Sequence, residues 1–178
     1  PGTGKTTLAL LIASLTKSQF SPVSAVGSGV ADLRRVCQEA QDRLGMHGQR
    51  TILFIDEIHR FNKAQQDVIL PHVENGIVVL IGATTENPSF EVNSPLLSRS
   101  RIFTLNALTT EQMEELLLRA ASDRERGLGD PPVEIQPDAM QAIISLSRGD
   151  ARIALNSLEL AVDTKPPDKD GRRHVTIS

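Results

Sequence analysis

The feature that most constrains this chain is its opening segment, in which glycines, a lysine and threonines lead directly into a helix pattern. The segment reads Pro-Gly-Thr-Gly-Lys-Thr-Thr, and apolar residues with helical spacing follow it. Glycines let backbone N–H groups wrap phosphates, the lysine reaches the β/γ oxygens, and a hydroxyl can ligate Mg²⁺. The helix adds its positive N-terminal end. The pattern predicts the second half of a phosphate-binding loop, whose nucleotide-facing residues would be Gly2, Thr3, Gly4, Lys5, Thr6 and Thr7.

A second informative segment is an apolar run that ends in two acidic residues. The continuous apolar run Thr51–Ile55 ends in Asp56 and Glu57. Such a run is typical of a strand buried on both faces of a parallel sheet. Ligands of α/β folds bind at the carboxyl ends of the strands. We therefore expect Asp56 and Thr6 to hold Mg²⁺ and Glu57 to polarise the attacking water. A solvated pair of acidic loop residues is the alternative interpretation.

Strand patterns alternate with helix patterns up to about Leu105, and this alternation predicts a parallel α/β layer. Ser28 or Gly29 is expected to cap the second helix and Asn62 the third, which Pro71 should kink or stop. The predicted strands are residues 20–26, 51–55, 77–81 and 101–105.

A small helical unit is predicted after this layer. Thr109 and Gln112 fit a capping box, Pro137 suits the first turn of a helix that ends near Ser147, and Asp150 should cap a third helix. The polar, Pro/Gly-rich end of the chain indicates a linker or frayed tail. The predicted domains are an α/β core over 1–107, a helical lid over 108–163 and a tail over 164–178.

Three polar residues follow the predicted strand at 77–81. Thr84, Thr85 and Asn87 can each place a polar group between Glu57 and the γ-phosphate, where it would orient the attacking water. Ordinary turn chemistry is the alternative interpretation. We favour Thr85.

Three arginines are candidates for contact with the γ-phosphate. Arg99 and Arg101 lie just before the last predicted strand, where one of them could reach a neighbouring subunit's nucleotide as an arginine finger. Arg152 lies in the first turn of the third lid helix and could report nucleotide state to the lid. The alternatives are a solvated surface charge for the first two and an ion pair with Asp150 or a nearby acidic residue for Arg152.

Composition excludes several other classes. The formal net charge is −3, so a strongly basic coat is absent, although local basic patches remain open. Five Phe are the only aromatic residues, which leaves few rings for a base-stacking platform. The single cysteine, Cys37, fits a helix core better than a disulfide or a nucleophile. The four histidines lack the spacing of zinc ligands. No apolar run is long enough to span a membrane.

Taken together, these residues resemble the AAA+ ATPases, and within them the RarA family, also called MgsA or the Werner-helicase-interacting protein family. The resemblance covers almost the whole chain and is weakest from Glu125 to Val133 and in the tail. The segments that carry it are Ser24–Val30, Thr51–Lys63, Gln65–Asp67, Gly82–Phe90, Leu96–Arg99 and Gly149–Arg152.

The resemblance implies a role for each matching position. Ser98-Arg99 matches the Ser-Arg-Cys motif of clamp loaders, which favours Arg99 over Arg101 as the finger. The implied assignments are Lys5 and Thr6 in Walker A, Asp56 and Glu57 in Walker B, Thr85 as sensor 1, Arg99 as arginine finger and Arg152 as sensor 2.

The family also implies a biological setting. It implies a DNA-dependent ATPase that acts at stalled replication forks or gapped DNA, in recombination and repair. The implied cofactors are ATP and Mg²⁺, and the implied partners are DNA, single-strand-binding protein and further copies of the chain. Its location would be the bacterial cytoplasm, associated with the nucleoid, or the eukaryotic nucleus.

Two features depart from the family pattern. The first Walker A glycine and the strand before it lie upstream of Pro1, and the family's C-terminal oligomerisation region is absent. The chain is therefore interpreted as a slice of a longer protein, cut at both ends. In the strand order of these ATPases the missing strand is central, so we expect the isolated segment to fold marginally and bind ATP poorly.

Other functions remain open at this stage. Asp56-Glu-Ile-His59 mimics the Asp-Glu-x-His box of superfamily 2 helicases, although the arginine-rich motif of their second domain is not seen. A nucleotide-gated scaffold without turnover is a second alternative, against which Glu57 and Arg99 argue. A clamp-loader or branch-migration subunit is a third.

Overall fold

A computed structural model describes residues 2–177, and their contacts divide them into two compact units. One unit is Lys5–Phe103, and the other combines residues 2–4 with residues 104–177. In the first unit, called the core unit, the elements are α1 (Lys5–Leu15), β1 (Gln19–Ser24), α2 (Val30–His47), β2 (Thr51–Asp56), a 3₁₀ turn (Ile58–Arg60), α3 (Lys63–Glu74), β3 (Val78–Gly82), α4 (Pro88–Glu91) and α5 (Ser94–Leu97).

The three strands of the core unit form one parallel sheet in the order β1-β2-β3. Ser24 pairs with Asp56, and Ile55 pairs with Gly82, so all three strands end at the same edge. Parallel pairing with helical crossovers confirms the α/β fold class predicted from the sequence.

Strand β2 is the centre of the core. Residues Thr51–Ile55 are all buried, as the continuous apolar run predicts. Leu53 and Ile55 pack with residues of α2 and α3, whereas Phe54 packs on the opposite face with Ala9 of α1. The sheet therefore has helices on both faces.

Helix α2 supports the prediction that Cys37 is a core residue. Leu33, Cys37 and Ala40 are each 0% exposed, on one face of the helix. Burial raises the pKa of the Cys37 thiol to about 11, which keeps it protonated near neutral pH.

The direction of α1 follows from its connection to β1. Residues 16–18 join the end of α1 to Gln19, whose N–H donates to the Arg50 carbonyl oxygen, 2.9 Å away, at the amino edge of the sheet. Because α1 also packs along the sheet through Ala9, its first residues lie toward the carboxyl edge, where β2 ends. Its larger apolar residues face outward, and Leu8, Leu10, Leu11 and Leu15 are exposed.

The predicted helix caps are present. Gly29 precedes α2 and donates its N–H to Asp32 Oδ2 at 2.9 Å. Asn62 and Gln65 form a reciprocal capping box at the start of α3, each backbone N–H donating to the other's side-chain oxygen at 2.9 Å.

Pro71 was expected to kink or stop α3, and the expected stop was wrong, because the helix continues to Glu74. Pro71 lies in the last turn, where its missing N–H removes one bond. Its own carbonyl oxygen still accepts from Asn75 N–H at 3.0 Å, which closes the helix end.

The predicted strand at 101–105 was also wrong. These residues have no regular structure, and Ile102 and Phe103 are 56% and 79% exposed. A β-branched and aromatic sequence forms a strand only beside a partner, and within the described residues β3 pairs with β2 alone.

The second unit is called the helical unit. Its core joins buried residues of three helices, with Leu117, Ala154 and Leu158 fully buried. The capping box at Thr109 and the Asp150 cap are present, and the latter accepts from Arg152 N–H at 2.9 Å. Its elements are α6 (Thr110–Ser122), β4 (Val133–Ile135), α7 (Pro137–Ser147), α8 (Ala151–Asp163) and β5 (Arg173–Val175).

The interpretation of the chain end as a linker or frayed tail needs correction at residues 173–175. These residues form β5, which pairs in parallel with β4, and Val175 is 1% exposed within the core of the helical unit. The turn before β5 is closed by Asp168, whose carboxylate accepts from Arg172 N–H and contacts the His174 ring. These bonds hold the pKa of Asp168 below its ordinary value.

Across residues 2–177, none of the helices combines the length and the apolar character needed to span a membrane.

Gln66 is a buried polar residue that fixes the segment after α4. Its side chain is 1% exposed; Nε2 donates to the carbonyl oxygens of Phe61 and Glu91 at 3.0 Å each, and Oε1 accepts from Asn93 N–H at 2.7 Å. Three backbone groups therefore depend on one amide.

We predict that Gln66→Leu lowers the free energy of unfolding by about 3 kcal/mol, because it removes the partner of three backbone groups. Urea denaturation followed by circular dichroism measures the change. The matched variant Gln41→Leu, at an exposed position of α2, should change stability by less than about 0.5 kcal/mol. Equal effects of the two substitutions would show that the Gln66 bonds contribute nothing.

We predict that Val175→Ala lowers the free energy of unfolding by about 2 kcal/mol, since it removes buried methyl groups from the helical core. Thermal or urea unfolding provides the measurement. Ile177, two residues further on, is 65% exposed, so Ile177→Ala is the matched control and should be nearly neutral. A neutral Val175→Ala would mean that β5 is not part of the cooperative unit.

Candidate functional site

The carboxyl edge of the sheet carries both predicted acidic residues. Asp56 is the last residue of β2 and is exposed, and Glu57 follows it directly. Asp56 Oδ1 accepts the backbone N–H of Glu57 at 3.1 Å, which orients the Asp56 carboxylate at the strand end. The pair therefore stands where α/β folds place ligands.

Glu57 has a strained backbone. Its φ and ψ are 55° and 47°, in the left-handed region that a residue with a Cβ avoids at a cost of about 1–2 kcal/mol. Two bonds hold the chain on either side: Ile58 N–H donates to Ala83 O at 3.0 Å, and Ala83 N–H donates to Ile55 O at 2.8 Å. Strain maintained in this way is typical of functional positions.

The Glu57 side chain contacts a histidine that lies two residues ahead. Glu57 Oε2 is 3.2 Å from Nε2 of His59, and the side chains are 33% and 16% exposed respectively. His59 Nδ1 lies 2.8 Å from the hydroxyl of Thr84, which follows β3. One imidazole thus joins the ends of two adjacent strands.

The three polar residues after β3 have different environments. Thr84 is half-buried and contacts His59, whereas Thr85 is exposed. Asn87 caps the short helix α4, where its side chain accepts from Ser89 N–H at 3.0 Å. Asn87 therefore has a structural task, and Thr85 remains the residue predicted to orient the attacking water.

Arg99 is held at the surface of the core unit by its own neighbours. One guanidinium nitrogen lies 2.7 Å from Glu74 Oε1, and the other donates to Pro95 O at 2.9 Å. An arginine finger acts on a nucleotide bound to another subunit, so a surface location is compatible with the role predicted for Arg99. Arg101 is exposed as well.

The first part of the phosphate loop lies in the helical unit. Gly2 and Gly4 have φ values of 63° and 83°, which glycine adopts without strain. A Cβ on Gly2 would collide with the Asp150 carboxylate, so this position requires glycine. The Thr3 hydroxyl is buried without a hydrogen-bond partner among the described residues. An unsatisfied donor in this loop fits a phosphate oxygen as its partner.

Lys5, Thr6 and Thr7 begin α1 in the core unit. Lys5 and Thr6 are half-buried, and Lys5 forms no ion pair with any acidic side chain in residues 2–177. The first N–H groups of a helix have no partner within the helix, and its positive end attracts anions. This donor set suits phosphate.

The donors present also fit Mg²⁺. Within the described part of the chain, no group of three or more His, Cys, Asp or Glu residues forms a protein-only metal site. Mg²⁺ is commonly bound by one or two protein oxygens together with substrate phosphates and water. Asp56 and Thr6 are the oxygen donors that would hold the ion beside bound nucleotide.

Arg152 lies beside the phosphate-loop residues of the helical unit. Ala151, its neighbour at the start of α8, donates its N–H to Gly2 O at 3.2 Å. Within residues 2–177, no ion pair of Arg152 with Asp150 or another acidic side chain is observed, and Asp150 Oδ1 accepts the backbone N–H groups of Arg152 and Ile153. The exposed guanidinium is thus available for the predicted contact with nucleotide.

Sequence reasoning missed the link formed by His59 and Thr84. By its sequence, His59 is a histidine without metal-ligand spacing, and Thr85 is favoured over Thr84. The signal in the sequence is position, because both residues follow a predicted strand end, close to Glu57 and Thr85. Their contact depends on strand pairing, which brings residues 59 and 84 together.

Family comparison agrees with this geometry. The family described as "ATPase family associated with various cellular activities (AAA)" matches residues 1–108, and the family described as "AAA C-terminal domain" matches residues 129–178. The first match covers the sheet, the acidic edge and Arg99.

Several curated proteins are similar over nearly the whole chain. Replication-associated recombination protein A of Escherichia coli is 49% identical over 97% of this chain and 38% of that protein. The Bacillus subtilis protein of the same name is 44% identical over 99% and 41% respectively. ATPase WRNIP1 of Dictyostelium discoideum is 49% identical over 91% of this chain and 18% of that protein. The chain therefore spans about two fifths of the length of the bacterial relatives.

A solved structure shows the same fold. A RuvB mutant of Thermotoga maritima superposes with a TM-score of 0.74 and 34% identity, over 92% of this chain and 52% of that one. The predicted resemblance is confirmed, and the assignment to the superfamily 2 helicases was wrong. The chain belongs to the AAA family of P-loop ATPases and is similar over 97% of its length to Replication-associated recombination protein A.

Proposed function

We propose that this chain is the ATP-hydrolysing part of a DNA-dependent ATPase that acts at stalled forks or gapped DNA in replication-associated recombination and repair. The observation that carries the ATPase proposal is the strained Glu57 beside Asp56, at the sheet edge toward which the start of α1 is directed. The names of the similar proteins support the replication setting.

Each residue has a distinct task in the proposed reaction. The loop N–H groups and Lys5 bind the phosphates, and Thr6 and Asp56 would hold Mg²⁺, which would supply positive charge to the phosphate oxygens. Glu57 accepts a hydrogen bond from the attacking water, and Thr85 orients that water. Arg99 stabilises transition-state charge on a neighbouring subunit's nucleotide, and Arg152 reports nucleotide state to the helical unit.

The assembly and partners belong to the same proposal. A finger acting across an interface requires a ring-like homo-oligomer, and work at forks brings DNA and single-strand-binding protein as partners. The protein would be found at the bacterial nucleoid or in the eukaryotic nucleus. A clamp-loader subunit is the second candidate, favoured by the Ser98-Arg99 match, and loading of a sliding clamp distinguishes it.

We predict that Glu57→Gln in the full-length protein keeps ATP binding but lowers kcat by at least about 100-fold, because an amide cannot polarise water as a carboxylate does. A fluorescent-nucleotide titration and a phosphate-release assay measure the two properties. Glu39→Gln, on the exposed face of α2, is the control and should keep normal turnover. Unchanged turnover in Glu57→Gln would overturn the assignment.

We predict that Arg99→Ala lowers kcat by about 1,000-fold with little change in nucleotide affinity, since a finger stabilises mainly the transition state. Arg101→Ala should keep most of the activity. Mixing Arg99→Ala with Glu57→Gln subunits should restore part of the turnover, because one mixed interface contains both intact residues. No restoration at any mixing ratio would contradict a finger acting across subunits.

The DNA part of the proposal has its own measurement. ATP turnover of the full-length protein should rise when forked or gapped DNA is added, and fully paired linear DNA serves as the comparison. Turnover that is equal with and without every DNA would leave an ATPase but contradict action at forks.

A further inference from the structure

Hydrogen bonds connect Glu57, His59 and Thr84 in a continuous chain. The Thr84 hydroxyl oxygen accepts the backbone N–H of Glu86 at 3.0 Å. The same hydroxyl lies 2.8 Å from His59 Nδ1, and His59 Nε2 lies 3.2 Å from Glu57 Oε2.

The carboxylate determines the direction of this chain of bonds. An ionised carboxylate only accepts hydrogen bonds, so His59 must donate from Nε2 to Glu57. In a neutral imidazole Nδ1 is then an acceptor, and the Thr84 O–H donates to it. Because the Thr84 oxygen receives the Glu86 N–H, its own proton is free to point at His59. With a neutral imidazole, every donor in this chain of bonds therefore has an acceptor.

The His59 ring is largely buried and is held on two sides. The His59 side chain is 16% exposed, and hydrogen bonds strengthen where water is largely excluded. His59 lies in the 3₁₀ turn that begins with Ile58, whose N–H is bonded to Ala83 O. The ring is therefore anchored by backbone on one side and by Thr84 on the other.

We propose that His59 is the positioning residue for the Glu57 carboxylate: it holds Oε2 from the side of β3 and leaves Oε1 to accept from the attacking water. This proposal rests on the proposed ATPase function, since it assigns the group that orients the base of that reaction. His59 itself touches neither water nor phosphate in this role, and Thr84 acts through His59.

Glutamine and asparagine substitutions separate the two contacts of the ring. A Gln amide nitrogen lies about as far along the side chain as Nε2 and can donate to Glu57, whereas the shorter Asn amide reaches only the position of Nδ1. His59→Gln therefore keeps the contact that the proposal requires, and His59→Asn loses it. His47→Gln, at an exposed position at the end of α2, is the matched control.

We expect His59→Ala and His59→Asn in the full-length protein to lower kcat by roughly 10- to 100-fold, the effect of losing a hydrogen bond to a charged group, with KM for ATP changed less than about twofold. His59→Gln should recover most of kcat. Thr84→Val should lower kcat when His59 is unchanged. In the His59→Ala variant, the same substitution should lower kcat little further, since both changes break the same chain of hydrogen bonds. Steady-state phosphate release and thermal unfolding are measured for every variant.

The outcomes distinguish this proposal from the one on which it rests. Equal kcat in His59→Gln and His59→Asn, or a loss expressed mainly in KM, would overturn the positioning role. Full turnover in His59→Asn while Glu57→Gln is inactive would overturn the positioning role alone. Full turnover in Glu57→Gln would overturn the proposed function itself. If His59→Ala does not fold, the Gln, Asn and Thr84→Val variants decide the question.

Discussion

The burial of β2 between two parallel neighbours is the constraint on which the core unit depends. Its residues from Thr51 to Ile55 are removed from water on both faces, and their backbone groups pair with β1 and β3. Leu53 and Ile55 face α2 and α3, and Phe54 faces α1. A shift of β2 by one residue would exchange these faces, so burial determines the register.

The position of the acidic residues follows from that register. Parallel strands end at one edge, and there Asp56 and Glu57 leave β2 while Ala83 leaves β3. The bonds between Ile58, Ala83 and Ile55 then hold Glu57 in its left-handed conformation. The strained backbone therefore lies at Glu57, the residue that we propose polarises water. Packing around Ile58, which is 3% exposed, maintains this conformation.

Local patterns predicted much of the fold because their causes are local. The capping boxes at Asn62 and Thr109 involve side chains three residues from the groups they satisfy, so they can be read directly from the sequence. The failed predictions depended on partners distant in sequence. Residues 101–105 have strand propensity but no pairing strand among the described residues. Strand β5 was not predicted because its flanking residues are polar, although its Val175 packs in the core of the helical unit. The expected stop at Pro71 was wrong because, in the last turn, the missing N–H removes only one bond of the helix.

For the candidate site, the sequence by itself determined the residue types: a glycine- and lysine-containing loop before a helix, two acids after a buried run, and polar residues after the next strand. Their chemistry is a property of the side chains and their order, and it pointed to the AAA family that comparison shows. Only the tertiary structure decided that His59 joins Glu57 to Thr84 and that Arg99 is held by Glu74. Those contacts bring together residues separated along the chain or choose one rotamer among several, and strand pairing and packing, not local propensity, make that choice.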